Sequence, residues 1–265
     1  MAAGLTLVLG VMGVINLAHG SYYLLGGYVG FSIAKHTGSF FLGLLGGTTV
    51  AGVLGVFTYR ILLSRRFAES ELAQVLITFG LLLVFADIFL WIWGGVPLSI
   101  PKPDILRGGV HVAGMTYPLF RLFIIPAGAA VFLFLWWFQE RTKYGAVVRA
   151  GVDDEQMTQA IGINISVVKT LVFGLGALLA GFAGAAGGPF VGLYPGLDVD
   201  ILVLALVVVI IGGKGSLWGA LIGALCIGLL DSFGNSLLPE FSLFTIFGAM
   251  VFVLAVKPSG ILGRE

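Results

Sequence analysis

Four long apolar stretches constrain the fold of this chain more than any other feature. They cover residues 40–59, 72–93, 117–138 and 167–190. A helix needs about 20 apolar residues to cross the roughly 30 Å hydrocarbon core of a bilayer. Only 10% of the 265 residues are charged, whereas soluble domains carry roughly 25%. We therefore predict an integral membrane protein.

The remaining apolar stretches are shorter or are interrupted by glycine. They cover residues 21–34, 197–213, 216–233 and 241–256, and residues 1–17 have the pattern of the second half of a helix. We predict an all-α, polytopic bundle of transmembrane helices with eight or nine membrane segments in a single domain, residues 1–265. The proline-rich residues 94–116 are expected to form an irregular external loop, and residues 139–166 the main cytoplasmic loop.

The distribution of basic residues predicts the orientation. If each segment crosses once, ten basic residues fall on one side: Arg60, Arg65, Arg66, Arg141, Lys143, Arg149, Lys169, Lys214, Lys257 and Arg264. The other side has four: Lys35, Lys102, Arg107 and Arg121. Because cytoplasmic loops are enriched in Lys and Arg, we expect the first set and the C-terminus to be cytoplasmic.

A short helix is predicted inside the cytoplasmic loop, from about Asp153 to Ile161. Acidic residues at its start favour the positive end of a helix dipole, and Gly162 can adopt the left-handed conformation that ends a helix. Met157, Ala160 and Ile161 have the spacing of a single helical face. This stripe either docks into a groove on a cytoplasmic partner or packs against its own bundle.

Two groups of polar residues interrupt the apolar stretches. Asn16, His19 and Ser21 form a polar break, which either lines a cavity at a broken helix or turns the chain at the membrane surface with His19 hydrogen-bonded locally. The predicted position near the cytoplasmic face favours the surface turn. Asp87 lies within an apolar stretch, where a carboxylate costs at least ~2.5 kcal/mol at the bilayer centre. It either lines the pathway or pairs with a neighbouring helix.

Several classes of function are disfavoured by composition. A net charge of +1 gives no basic face for nucleic acid, and the single cysteine, Cys226, provides no metal cluster. The sequence has no recognisable catalytic set, so we expect neither an enzyme nor a cofactor. Residues 212–216 superficially resemble a phosphate-binding loop, but Gly215 stands where Ser or Thr should follow Lys214. We predict a tight turn there.

Four motifs resemble those of permease subunits from branched-chain amino acid ABC importers. They are residues 13–20 (Gly-Val-Ile-Asn-Leu-Ala-His-Gly), the cytoplasmic segment 149–164, residues 211–220 (Ile-Gly-Gly-Lys-Gly-Ser-Leu-Trp-Gly-Ala) and residues 257–263 (Lys-Pro-Ser-Gly-Ile-Leu-Gly). The sequence departs from this family at its start, where we expect about half of the first helix to be absent. The resemblance also implies a bacterial or archaeal inner membrane.

The resemblance implies one permease of a pair, a homodimer or heterodimer, working with two cytoplasmic ATPase subunits and an external solute-binding protein. It implies that the residues coupling transport to ATP hydrolysis are Arg149, Ala150, Asp153, Asp154, Glu155, Met157, Ala160, Ile161, Gly162, Ile163 and Asn164. Three alternatives stay open: a permease of this kind for urea or short amides, a secondary transporter or channel with Asp87 as its ion site, and a membrane scaffold.

Overall fold

The computed structural model describes residues 1–13, 15–64, 70–112, 114–237 and 239–263, without the side chains of residues 112, 152, 153, 155 and 242. The helices within these ranges are α1 (Ala2–Met12), α2 (His19–Thr37), α3 (Phe40–Thr58, continued by a π-helical turn, Tyr59–Leu63), α4 (Glu71–Trp93), α5 (Leu119–Arg141), α6 (Lys143–Asp153), α7 (Glu155–Ala160), α8 (Ile165–Val191), α9 (Leu197–Gly212), α10 (Leu217–Leu237) and α11 (Ser242–Val256). Short 3₁₀ turns occupy Asp104–Leu106 and Pro239–Phe241.

Five of the described helices are long and apolar enough to cross a membrane: α3 with its π-helical turn, α4, α5, α8 and α10. The four long stretches of the sequence are among them, so the prediction of an all-α polytopic bundle is confirmed at that level. The helices α1 and α11 are apolar but shorter, and the total number of crossings stays a prediction.

Serine side chains fix the start of two of these helices. The Ser39 side chain accepts a hydrogen bond from the Leu42 backbone N–H at the start of α3, and Ser70 accepts one from Ala73 at the start of α4. Such caps satisfy backbone N–H groups that have no partner within the first turn. The helix boundaries therefore fall close to those expected from the apolar pattern.

Close backbone contacts between glycines hold α2, α3 and α8 together as the centre of the bundle. A methyl group added at Gly47 of α3 would lie 2.2 Å from the Gly26 carbonyl oxygen of α2, and one at Gly184 of α8 would lie 1.8 Å from that of Tyr23. Only glycine permits this approach, which is a common way for membrane helices to pack. We call α2, α3 and α8 the central block.

The loop after α4 is more ordered than the irregular loop that was expected. Strands β1 (Gly109–Val112) and β2 (Met115–Pro118) pair antiparallel, with Val110 opposite Tyr117. The chain therefore enters α5 at Leu119, and Tyr117, which was expected to begin a membrane segment, lies in β2. The fixed φ of Pro118, −60°, suits the residue that precedes a helix.

The two ends of the bundle are closed by different segments. At one end, Leu98 and Leu193 exchange backbone hydrogen bonds of 2.8 and 2.7 Å, which joins the loops after α4 and α8. At the other, a cavity of about 310 Å³ is lined by Arg149, Lys214 and Leu262 among others. This second end, which we call the loop end, carries α6 and α7. Three of the basic residues used for orientation lie there: Lys143 and Arg149 on α6, and Lys214 in the lining of the cavity. Arg65, Arg66 and Arg264 lie outside the described residues.

Candidate functional site

The segment 139–166 begins with a tight corner between α5 and α6. The Thr142 hydroxyl donates a hydrogen bond to the Phe138 carbonyl oxygen (2.5 Å) and accepts one from the Gly145 backbone N–H (3.0 Å). A methyl group at Gly145 would lie 2.3 Å from the Phe138 carbonyl oxygen. One threonine therefore ends α5 and starts α6, and the glycine allows the two helices to turn sharply.

The short helix predicted from about Asp153 to Ile161 is present as α7 (Glu155–Ala160), which starts two residues later and ends one residue earlier. Residues 143–153 form a helix of their own, α6, and Asp153 ends it rather than starting the next one. Asp154 has extended backbone angles (φ −154°, ψ 103°) and separates α6 from α7. Since α6 includes Arg149 and Ala150, these residues lie on a helix that packs against α1, α5 and α8.

Asp154 is the N-cap of α7. One of its carboxylate oxygens accepts a hydrogen bond from the Met157 backbone N–H at 2.9 Å. The Thr158 hydroxyl also donates to the Asp154 carbonyl oxygen at 2.7 Å. A carboxylate at this position satisfies a free N–H group and interacts favourably with the helix dipole. The side chains of Asp153 and Glu155 lie outside the described residues.

Gly162 and Asn164 connect α7 to α8. Gly162 has a φ of +90°, and its N–H donates to the Gln159 carbonyl oxygen at 2.9 Å. The Asn164 side chain then accepts from Ser166 at 3.0 Å and from Val167 at 3.4 Å, which caps α8. The predicted left-handed glycine is therefore confirmed, and Ile163 is the only residue between the two caps.

The apolar stripe of α7 faces away from the bundle. Met157 is 64% exposed and Ile161 is 69% exposed, and Ala160 is exposed as well, whereas Thr158 is only 3% exposed. Of the two alternatives considered for this stripe, packing against its own bundle is therefore not what the structure has. A small helix that is capped at its start and ended by a left-handed glycine presents two large apolar side chains to the outside.

Arg149 of α6 lies close to Glu140, near the end of α5. One of its guanidinium nitrogens, Nη1, lies 3.9 Å from a carboxylate oxygen of Glu140, too long for a hydrogen bond. That nitrogen is buried and has no hydrogen-bond partner among the described residues. Val148, on the same helix, is buried in the core. The α6 helix is therefore attached to the bundle mainly by apolar packing, with a loose ion pair at its edge.

The polar break between α1 and α2 lies inside the bundle. Asn16, His19 and Ser21 are 4%, 0% and 0% exposed. A surface turn is therefore the wrong description of this break. The Asn16 side chain caps the turn by accepting from the Ala18 N–H at 3.1 Å. Neither ring nitrogen of His19 has a hydrogen-bond partner in the described part of the chain, so the expected local hydrogen bond of its imidazole is also absent there.

The sequence pattern did not reveal Asp198, which completes this break from the other side. The Ser21 hydroxyl donates a hydrogen bond to a carboxylate oxygen of Asp198 at 3.1 Å, and Asp198 is only 2% exposed. A methyl group at Gly20 would lie 2.0 Å from the Asp198 carbonyl oxygen. The starts of α2 and α9 therefore meet in the interior. The signal available in the sequence was an acidic residue in the first turn of an apolar helix, two residues after Gly196. In the structure, Gly196 has a φ of +94°.

We call the buried residues Asn16, His19, Ser21 and Asp198 the polar layer. Two further hydrogen bonds connect the residues around it to the neighbouring helices. The Tyr22 hydroxyl donates to the Thr58 hydroxyl of α3 at 2.6 Å. The Leu17 backbone N–H donates to the Thr78 hydroxyl of α4 at 3.3 Å. The polar layer at the start of α2 thus contacts α3, α4 and α9. It is the part of the bundle interior in which several helices expose hydrogen-bonding groups to one another.

Asp87 lies apart from both groups. It is on the exposed face of α4, whereas the buried residues of that helix are Thr78, Phe85 and Phe89. No hydrogen bond or ion pair joins its carboxylate to another described residue. The structure therefore does not bring Asp87 together with Asn16, His19 and Ser21.

A model of the permease component of the branched-chain amino acid transport system matches residues 1–256. No solved structure matches the chain.

Two permeases of branched-chain amino acid transport are similar over the whole chain. The high-affinity branched-chain amino acid transport system permease protein BraD of Pseudomonas aeruginosa is 27% identical over 283 residues, covering 100% of this chain and 91% of BraD. The corresponding protein LivH of Escherichia coli is 29% identical over 282 residues, with 100% and 90% covered.

A sugar permease is also similar. The ribose import permease protein RbsC of Escherichia coli is 29% identical over 279 residues, covering 97% of this chain and 80% of RbsC. The family model nevertheless spans residues 1–256, which include three of the four motifs of the chain. The chain belongs to the permease component family of branched-chain amino acid transport systems.

Proposed function

We propose that this chain is the membrane permease subunit of an ATP-driven importer for branched-chain or related amino acids, and that it forms half of the translocation pathway. The observation that carries this proposal is the exposed stripe of α7, with Met157 and Ile161 turned away from the bundle on a short helix that lies between two of the membrane-spanning helices. A rigidly capped helix with an apolar stripe suits the groove of a partner protein.

The proposed assembly contains a second permease subunit, two cytoplasmic ATPase subunits and an external solute-binding protein. ATP hydrolysis occurs in the ATPase subunits, and this chain receives the resulting movement through residues 149–164. The loop end is then the cytoplasmic end, and the Leu98–Leu193 end faces the binding protein. The shared location of Arg149 and Lys214 at the loop end supports this orientation.

The polar layer is the proposed site of the pathway within this subunit. Asn16, His19 and Ser21 bring side chains capable of hydrogen bonding into the interior, where a transported amino acid needs partners for its charged groups. Asp198 adds a carboxylate to that set. Asp87 remains a pathway candidate at the outer surface of the subunit, where the second half of a two-subunit pathway would meet it.

A double substitution of the exposed stripe tests the coupling role. Met157→Ser with Ile161→Ser is expected to reduce ATP-dependent uptake at least tenfold and to release the ATPase subunits during purification, because the docking surface is lost. The chain should still insert, since both side chains are exposed. The control is Tyr144→Ser, whose side chain is 69% exposed on α6, at the same end of the bundle but outside residues 149–164. Normal uptake by the first variant would refute the coupling role.

The substrate is tested through the external binding protein of the purified complex. RbsC is named for ribose, and the sequence left urea and short amides open. We therefore propose titrating that binding protein with leucine, valine, urea and ribose. Tightest binding of leucine or valine supports the proposed substrate class, whereas tightest binding of urea or ribose contradicts it.

A secondary transporter driven by an ion gradient has less support. Its ion site would be Asp87, which lies on the outer face of α4 away from the polar layer. For an ATP-driven importer, Asp87→Asn leaves the dependence of uptake on ATP intact. Uptake that depends on an ion gradient in the native chain, and loses this dependence in the variant, would support a secondary transporter instead.

A further inference from the structure

The position of Asp87 on α4 is unusual for a helix that faces lipid. Asp87 follows Glu71 by 16 residues and precedes Trp93 by 6, which places it roughly 24 Å and 9 Å from the two ends of the helix at about 1.5 Å per residue. It therefore lies well inside the apolar stretch, and its side chain is exposed on the surface of this subunit.

The residues around Asp87 on the same face offer it a single hydrogen-bond donor, the Trp91 indole N–H, and no hydrogen bond joins the two residues. In a helix, residues separated by three, four or seven positions lie on one side. The exposed members of this face within the apolar stretch are Leu76, Gly80, Leu83, Val84, Asp87, Leu90 and Trp91. Lipid tails can cover the apolar members at no cost, but a carboxylate in hydrocarbon is strongly unfavourable unless it has a partner or water. We call these seven residues the Asp87 face.

We propose that the Asp87 face is the contact surface for the second permease subunit, whose facing helix presents a basic, amide or hydroxyl side chain at the depth of Asp87. This inference rests on the proposed function as one permease of a pair. Gly80 leaves room for such a contact, as Gly128 does on α5, since no atom lies within 4 Å of a methyl group added at either position. Small residues allow a neighbouring helix to approach closely.

A comparison with α5 shows that exposure of a helix does not by itself require a protein partner. The helix α5 is at least as exposed as α4, with 11% of its apolar window buried against 17% for α4. Its charged residues, Arg121, Glu140 and Arg141, lie in its first and last turns, where they reach the membrane surface. Lipid therefore suffices to cover α5, whereas α4 needs a polar partner near its outer third.

A second copy of this chain is a poor occupant of the Asp87 face. A two-fold axis along the membrane normal would place both Asp87 carboxylates at the same depth, and like charges repel strongly where water is excluded. The one hydrogen-bond donor of the Asp87 face is the Trp91 indole N–H, four residues further along α4 and therefore about 6 Å closer to the membrane surface than Asp87. The partner is therefore a permease of different sequence.

Photo-crosslinking in native membranes tests this surface. Cys226 is the only cysteine, so Cys226→Ala provides a background for Val84→Cys on the Asp87 face and Leu133→Cys on α5. These two positions are matched, at 53% and 58% exposed. Each is labelled with a benzophenone maleimide, irradiated in the complete complex, and the adducts are identified by mass spectrometry. We expect the second permease to be captured at least tenfold more from position 84 than from position 133.

The possible results distinguish a wrong contact surface from a wrong proposed function. Equal capture from both positions, lipid adducts alone at position 84, or capture of a second copy of this chain would overturn the inference. If ATPase and permease subunits purify with the chain in those cases, the proposed function stands and only this surface is wrong. If the unmodified chain purifies with neither, the proposed function itself fails.

Substitutions of Asp87 provide a second measurement. Asp87→Leu removes the polar partner and should lower the amount of co-purified second permease at least fivefold, while Asp87→Asn keeps hydrogen-bonding capacity and should retain most of it. Insertion of Asp87→Leu into the membrane is expected to be as good as that of the native chain. Unchanged co-purification with Asp87→Leu would contradict a polar contact at this position.

Discussion

The hydroxyl of Ser21 in α2 donates a hydrogen bond to the carboxylate of Asp198 in α9, across 3.1 Å and 177 residues of sequence. Both residues are buried. A hydrogen bond to a charged group contributes more than one between neutral groups, and a buried carboxylate that loses its partner retains the full cost of its desolvation. This pair therefore attaches the start of α9 to the central block.

Ser21→Ala tests that attachment. We expect the free energy of unfolding to fall by about 1.5–3 kcal/mol, measured by denaturant titration of the purified chain in mixed micelles. The matched control is Thr49→Ala, which removes a hydroxyl that is exposed and bonded only to the Leu45 carbonyl oxygen of its own helix. Equal losses for the two variants would show that the Ser21–Asp198 hydrogen bond contributes nothing specific.

Gly20→Ala tests the close approach of α2 and α9. The added methyl group would lie 2.0 Å from the Asp198 carbonyl oxygen, so the helices must separate, and overpacking of this kind costs about 1–3 kcal/mol. A lower midpoint of thermal unfolding is expected for this variant. Gly228→Ala is the control, because no atom lies within 4 Å of the new methyl group. The prediction fails if Gly20→Ala unfolds at the temperature of the native chain.

Asp154→Ala removes the cap of α7. The first-turn N–H of Met157 then loses its partner, which destabilises a short helix by about 1 kcal/mol. Hydrogen exchange of residues 157–160 should accelerate roughly fivefold, since RT is about 0.6 kcal/mol. Asp154→Asn retains the capping oxygen and serves as the control. Identical exchange in the alanine variant and the native chain would mean that α7 is held by something other than its cap.

Gly162→Pro tests the link between α7 and α8. Proline fixes φ near −65° and has no N–H, whereas Gly162 has a φ of +90° and donates to the Gln159 carbonyl oxygen. We expect insertion to be preserved and ATP-dependent uptake to be lost. Gly114→Pro is a control at a positive-φ glycine (φ +79°) next to the β-hairpin. Normal uptake by Gly162→Pro would argue against transmission through this link.

The orientation can be tested by labelling single cysteines in the Cys226→Ala background. Lys143→Cys lies at the start of α6 and Lys35→Cys in the last turn of α2. The excess of basic residues at the loop end predicts that a membrane-impermeant maleimide reaches position 35 from outside intact cells and position 143 only after lysis. The reverse pattern would invert the proposed orientation.

The sequence predicted the long helices well because their signal is local. The stretch 167–190 corresponds to α8 (Ile165–Val191) and the stretch 72–93 to α4 (Glu71–Trp93). In a bilayer, a helix makes all of its backbone hydrogen bonds within its own segment, so the apolar stretch alone predicts it. The helix α6 was missed, because the two glycines and three charged residues among residues 143–153 are also typical of a solvated loop. Its stability comes from the caps and from burial of Val148.

The candidate site was only partly predictable for a different reason. The residues Asn16, His19 and Ser21 are recognisable as a polar break, but their burial depends on which helices surround them. Asp198 is far away in sequence, and no local pattern connects it to Ser21. The exposure of Met157 and Ile161 also follows from the path of the chain through Asp154 and Gly162. Acidic residues at the start of the helix and a left-handed Gly162 at its end were expected. The direction in which they turn the apolar stripe was not.

The glycine contacts of the central block have a mechanical consequence. Where backbone touches backbone, no side chain can change rotamer to absorb a displacement. The cap at Asn164 joins α7 to α8 with Ile163 as the sole intervening residue between the caps, and α8 is part of that block. We therefore expect a push on Met157 to tilt α2, α3 and α8 together as one rigid unit relative to α4 and α5, which are the least buried of the five long helices.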